Sequence, residues 1–129
     1  MSMNSPADVA KNYIKIGKNK VNTPIDKMFL LAVLAGAFIA LGGIGSSTAA
    51  VAVQPSALGR LISGCIFPGG LTLVLLAGSE LFTGNCLLTI PLMEKEITMV
   101  GMLKNWVVVY FGNMAGDYVI KDVVMEPVE

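Results

Sequence analysis

The run Gly78-Ser79-Glu80-Leu81-Phe82-Thr83-Gly84-Asn85 puts a carboxylate, hydroxyl and amide groups and two glycines inside an apolar stretch that otherwise extends over residues 61–93. A bilayer span cannot carry such a break as ordinary helix. Backbone groups freed by unwinding in hydrocarbon have no water to bond, so irregular chain at that depth persists only where protein encloses it or where it lines a wet cavity. The reading this favours is a broken helix beside a path for a small solute.

Composition places the break in a membrane. Mean hydropathy is +0.71, and 54% of the residues are hydrophobic and 14% charged, whereas soluble domains carry about 25% charged residues. The fold class expected is an all-α membrane protein of one domain. The formal net charge is zero, so nucleic acid finds no electrostatic footprint. Histidine is absent, which removes the commonest acid–base catalyst and metal ligand. With no nucleophile–base pair and no metal-spaced cluster, neither an enzyme nor a cofactor nor a metal site is expected. Cys65 and Cys86 fall in apolar stretches and read as small buried hydrophobes. The first 27 residues hold no continuous apolar run, so no cleavable signal peptide is expected there and insertion is through the first true span.

Along the chain, residues 1–27 form an N-terminal segment, residues 28–116 a three-span membrane domain and residues 117–129 an acidic tail. Ser5-Pro6-Ala7-Asp8 is a helix start: a hydroxyl cap, proline at the first helical position and an acid facing the dipole. Val9, Tyr13, Ile16 and the stem of Lys20 then form an apolar stripe, opposite Lys11, Lys15 and Lys18, as in a basic helix lying on a membrane surface. Residues 28–53 carry no charge and make the first span, with Ala32, Ala35, Gly36, Ala40 and Gly42 among the small residues that let helices approach. Gln54 to Arg60 reads as a turn. The second span starts at Leu61, breaks over residues 78–85 and resumes as a short half-helix ending at Met93. Residues 99–115 give a third span at the lower limit of length, and the tail after Gly116 is expected not to continue it. Five lysines precede Met28, Lys95 and Lys104 flank the second connection, and only Arg60 lies in the first. The positive-inside rule then puts the N-terminus in the cytoplasm.

Glu80 is the sharpest single residue, because an ionisable group within a span is a functional-site hypothesis by default. Its nearest donors in sequence are backbone N–H groups of the break, the Thr83 hydroxyl and the Asn85 amide. A free carboxylate would repel an anion, which favours a loop-holding role for Glu80 over direct solute contact. Gly78 and Gly84 supply permissive backbone, and Thr83 with Asn85 can replace water contacts of a small polar species. Phe67 and Leu71, or Leu81 and Phe82, could form apolar constrictions; taken alone, each reads first as packed or lipid-facing.

Phe67-Pro68-Gly69-Gly70-Leu71, the run from Gly78 to Asn85, and Lys104-Asn105-Trp106-Val107-Val108-Val109-Tyr110-Phe111-Gly112-Asn113 together resemble the first half of the formate/nitrite transporter family, and within it the bacterial hydrosulfide channel branch most closely. The likeness covers about Pro6 to Gly116. It implies a three-span half of an aquaporin-like six-helix channel, a homopentamer with one pore per protomer, a multi-pass place in the bacterial inner membrane, and small monovalent anions of weak acids (formate, nitrite or hydrosulfide) as substrates. Position by position it implies a pore constriction at Phe67 and Leu71, pore lining at Leu81 and Phe82, a chamber-facing hydroxyl at Thr83 and an acidic loop residue at Glu80. Members of that family have two inverted halves, and the histidine and lysine they place on the anion path lie in the second. The alternatives are therefore a half-length channel form, inactive alone, and a truncated fragment or interaction subunit that transports nothing.

Overall fold

The computed structural model describes residues 3–53 and 55–125. Every regular element among them is helical: α1 (Pro6–Asn22), α2 (Ile25–Ala52), α3 (Ser56–Ala77), α4 (Phe82–Asn85), a 3-10 turn (Cys86–Leu88), α5 (Thr89–Met93) and α6 (Met99–Met125). α1 starts where its cap chemistry predicts: the Ser5 hydroxyl accepts the Asp8 N–H at 3.2 Å, and the Asp8 carboxylate accepts the Ser5 N–H at 3.3 Å. Prolines 24 and 55 stand at the N-caps of α2 and α3. α2 and α3 are long and apolar enough to cross a bilayer.

α2 is the centre of the assembly and packs along both α3 and α6, which barely touch each other. Small residues make this possible, as expected: Ala32, Ala35, Gly36, Ala40 and Gly42 are all buried. A Cβ on Gly42 would stand 3.1 Å from the Gly70 Cα of α3, and one on Gly112 would stand 2.5 Å from the Ala32 Cβ. Gly36 and Gly116 lie directly against the carbonyls of Asn113 and Val33. Backbones at this distance gain dispersion contacts along their length. The Ser46 and Ser63 hydroxyls, 2.7 Å apart, add a polar tie between α2 and α3.

Several expectations need correction. α3 starts at Ser56, so of the residues read as a turn only Pro55 precedes the helix, and Gln54 lies outside the described residues. α6 does not stop near Gly116 but continues to Met125. No proline follows Met99 until Pro127, and Asp117 and Lys121 stand at the favourable four-residue spacing. Residues 126–129 of the tail lie outside the described residues. α1 is rotated from its expected stripe. Val9 and Ile16 are exposed while Tyr13, Ile14, Gly17 and Lys20 face the protein, because the helix docks on α5 and α6 and Gly17 admits Pro91. Cys65 and Cys86 are exposed, not buried: α3 packs mainly on α2, and Cys86 lies on a face of the half-helix that its neighbours α1 and α6 leave open. Outward faces elsewhere are apolar, Leu30, Val51, Leu76 and Val100 among them.

Candidate functional site

The break is shorter than the sequence suggested. α3 ends at Gly78, whose φ of 62° is left-handed, a conformation that glycine adopts without steric cost. The Gly78 N–H bonds to the Leu75 carbonyl at 3.3 Å and the Ser79 N–H to the Val74 carbonyl at 3.1 Å, closing the helix end. Residues 78–81 form the whole break, and Phe82, Thr83, Gly84 and Asn85 already form the first turn of the second half-helix. What allows the helix to restart so early is an external cap. Asn113 of α6 accepts the Phe82 N–H at 2.9 Å, and its amide group donates to the Glu80 carbonyl at 2.9 Å and to the Ala32 carbonyl of α2 at 2.8 Å. One side chain thus brackets the break and ties it to two long helices. The Glu80 N–H donates to the Leu31 carbonyl at 3.2 Å, completing the attachment to α2.

Glu80 is 7% exposed and finds its counter-charge in α1. Lys20 Nζ lies 2.7 Å from Glu80 Oε2 and 3.0 Å from Asn85 Oδ1. The Asn85 amide donates to Glu80 Oε2 at 2.7 Å and to Asn105 Oδ1 at 2.9 Å; Asn85 and Asn105 are both fully buried. Asn105 Nδ2 ends the chain of bonds on Met28 Sδ at 3.5 Å. From the other side the Trp106 indole N–H donates to the Asn85 carbonyl at 2.9 Å, and the Tyr13 hydroxyl donates to the Gly84 carbonyl at 2.9 Å. Every fully buried side-chain N or O among the described residues has a partner. A buried ion pair is tolerated only with such complete hydrogen bonding. Tyr13 sits close enough to feel the site: burial first, then the Glu80 carboxylate and Cys86, raise its phenol above its ordinary value.

Of the residues singled out in sequence, the structure gathers Leu71, Leu81 and Thr83 on one groove of about 400 Å3, together with Asn85 and the α1 residues Tyr13 and Lys20. Thr83 is exposed to that groove. Phe67 lies elsewhere, on a larger cavity of about 650 Å3 that also touches α2 and the Asp117–Lys121 end of α6. Phe82 packs edge-on against Tyr110 and Trp106, with ring centroids 5.6 and 6.1 Å away. Leu81 reaches a third groove shared with Phe82 and Asn113. Gly84 and Asn85, read with Gly78 as support for the break, lie within α4, while Gly78 closes the end of α3. Sequence reading assigned no role to Asn105, Trp106 or Asn113, nor to Lys20 as the partner of Glu80. A signal was present: Asn105 and Asn113 stand eight residues apart in an apolar helix, which puts two amides on one face at a spacing close to two turns.

The arrangement holds a carboxylate paired with Lys20 beside a groove on which the Thr83 hydroxyl is exposed. Residues 7–126 match the formate/nitrite transporter family. The chain is 41% identical over 120 residues to a probable formate transporter of Methanothermobacter thermautotrophicus, covering 89% of this chain and 44% of that protein. It is 39% identical over 120 residues to a formate channel of Bacillus thuringiensis, covering 90% and 46%. It is 34% identical over 113 residues to the formate channel FocA of Escherichia coli, covering 86% and 40%. It therefore spans less than half the length of these curated relatives. The family match runs past Gly116 and takes in all of α6, the helix whose asparagines hold the break. On that match, the chain belongs to the formate/nitrite transporter family.

Proposed function

We propose that this chain supplies a three-span half of a channel for small monovalent anions of weak acids, with the groove beside Thr83 as its share of the path. The observation that carries the reading is the break at residues 78–81: its carboxylate is paired with Lys20 and its backbone is capped by Asn113, inside a chain of this family. Pairing Glu80 removes the negative charge that would repel an anion, and the exposed Thr83 hydroxyl stands where a solute sheds part of its water, while the Asn85 amide, read in sequence as a second such group, is buried and taken up by Lys20, Glu80 and Asn105. The names of the relatives make formate the first anion to test; nitrite and hydrosulfide follow, the last from the branch the motifs resemble most. In this reading α2, α3 and α6 cross the bacterial inner membrane with the N-terminus in the cytoplasm, and five copies of the completed unit assemble. Leu71 and Leu81 line the path, while Phe67 and Phe82 act at its ends.

A path needs walls on all sides, and in this reading a second half supplies the remaining ones. The chain alone is therefore expected to insert without conducting. The test is formate uptake into proteoliposomes, comparing the 129-residue chain with the same chain completed by the remaining length of the Methanothermobacter relative. Saturable flux through the completed form and none through the short form is the expected result. Strong flux through the short form would show that copies of this chain build a pore by themselves. No flux through either would favour the reading as a non-transporting membrane fragment or interaction subunit.

A further inference from the structure

We propose that Tyr13 sets the size of solute admitted to the groove beside Thr83, by holding its ring across that groove with a hydrogen bond to the Gly84 carbonyl. The inference rests on the reading of the groove as part of an anion path. α1 contributes two side chains to the groove wall, Tyr13 and Lys20. Lys20 is committed, since its ammonium is shared between Glu80 and Asn85. Tyr13 is half-buried and is anchored by its hydroxyl alone to the turn that carries Thr83, at 2.9 Å. A Cβ on Gly84 would meet nothing within 4 Å, and the groove that holds Thr83 has the phenol on its α1 side and Leu71 and Leu75 on its α3 side.

The ring cannot drift along the chain axis. One turn further on, Gly17 presses on Pro91 so closely that a Cβ would stand 2.7 Å from its Cγ, which fixes the register of α1 on the half-helix. The phenol therefore meets the groove at a fixed height. Its raised titration keeps it a donor across the physiological range, so the bond to Gly84 persists there. Size discrimination by a rigid aromatic wall is steep, because each extra methylene that must be accommodated in a closed site is worth about tenfold or more.

Two arms test this. In the first, Thr83→Cys is placed in a Cys65→Ser, Cys86→Ser background of the membrane-inserted 129-residue chain, and its rates with methyl and benzyl methanethiosulfonate are compared; both reagents are neutral and react alike. With Tyr13 present the benzyl reagent should lag, and Tyr13→Ala should raise the benzyl-to-methyl ratio about tenfold, with Tyr13→Phe falling between because the ring stays but is unpinned. Tyr13→Leu carries the same comparison should the alanine chain misfold. An unchanged ratio in the truncated variants would overturn the proposal. In the second arm, the completed channel should admit propionate relative to formate more readily once Tyr13 is truncated. A shifted thiol ratio with no anion flux at all would defeat the transport reading and leave Tyr13 as the gatekeeper of the groove; flux with both ratios unchanged would defeat the Tyr13 proposal and leave transport standing.

Discussion

Lys20→Met is the perturbation that exposes how the break is held. It removes the ammonium 2.7 Å from Glu80 Oε2 and leaves a carboxylate, with 9% of its side chain exposed, on a single remaining donor, the Asn85 amide. Stranding one partner of a buried pair costs about 3 to 5 kcal/mol. Lys20 keeps 20% of its side-chain surface exposed, so water reaches the pair and the expected loss is at the lower end, about 3 kcal/mol. Glu80→Gln keeps the volume and leaves Lys20 bonded to Asn85 Oδ1, for an expected loss of about 2 kcal/mol. The double variant buries no unpaired charge and should lose no more than the worse single one, a coupling of about 2 kcal/mol or more. Trp106, the only tryptophan, donates to the Asn85 carbonyl and so reports on this network. The assay is urea unfolding in mild detergent followed by Trp106 fluorescence for all four chains. Losses that add within about 0.5 kcal/mol would refute the reasoning, since independent sites behave that way.

Three further outcomes are expected. Asn113→Leu should destabilise by about 3 kcal/mol, because it leaves the Phe82 N–H and the Glu80 and Ala32 carbonyls short of partners; a loss under about 1 kcal/mol in the same unfolding assay would remove Asn113 as the bracket. Lys95 caps the end of α5 with a φ of 59°, so Lys95→Gly should stabilise by about 0.5 to 1 kcal/mol, and a lower thermal midpoint would contradict this. Burial, Glu80 and Cys86 raise the Tyr13 phenol above 10.0 in the folded chain. Its contribution is therefore complete below pH 10.0 and is lost as pH rises through the folded value. The comparison is between the native chain and Tyr13→Phe; equal alkaline losses in both would show that the phenol plays no part.

Local chemistry was legible in the sequence where the cause is local. The Ser5–Asp8 cap, the long apolar helices and the existence of a break all follow from residues within a few positions of the effect. The extent of the break did not follow, because Phe82 is capped by a side chain 31 positions away, and hydrogen bonding at that range leaves no periodic trace. The same holds for Lys20, which is 60 positions from Glu80 and reads in the sequence as a stem in an apolar stripe and one of the lysines that set orientation. The rotation of α1 turned on Gly17, since a helix docks along the face that admits the closest backbone approach, even where larger apolar residues lie on another face. Asn85, five residues beyond Glu80, donates to its carboxylate, whereas the Thr83 side chain is exposed on the groove. The extension of α6 beyond Gly116 was missed because charge was weighed over helix continuity, although an acidic, apolar-interleaved segment without proline has no reason to stop.

The central claim is that the broken segment in the membrane-inserted chain is a built structure, closed by α1 through the Lys20–Glu80 pair. The measurement that tests it most directly is the dipolar coupling between 15N at Lys20 Nζ and 13C at the Glu80 carboxyl, read by solid-state NMR on the chain in lipid bilayers. The account predicts strong dephasing, as a 2.7 Å Nζ···Oε2 contact requires. No measurable coupling, with α2 and α3 still helical by their carbon shifts, would place α1 away from the break and contradict the account.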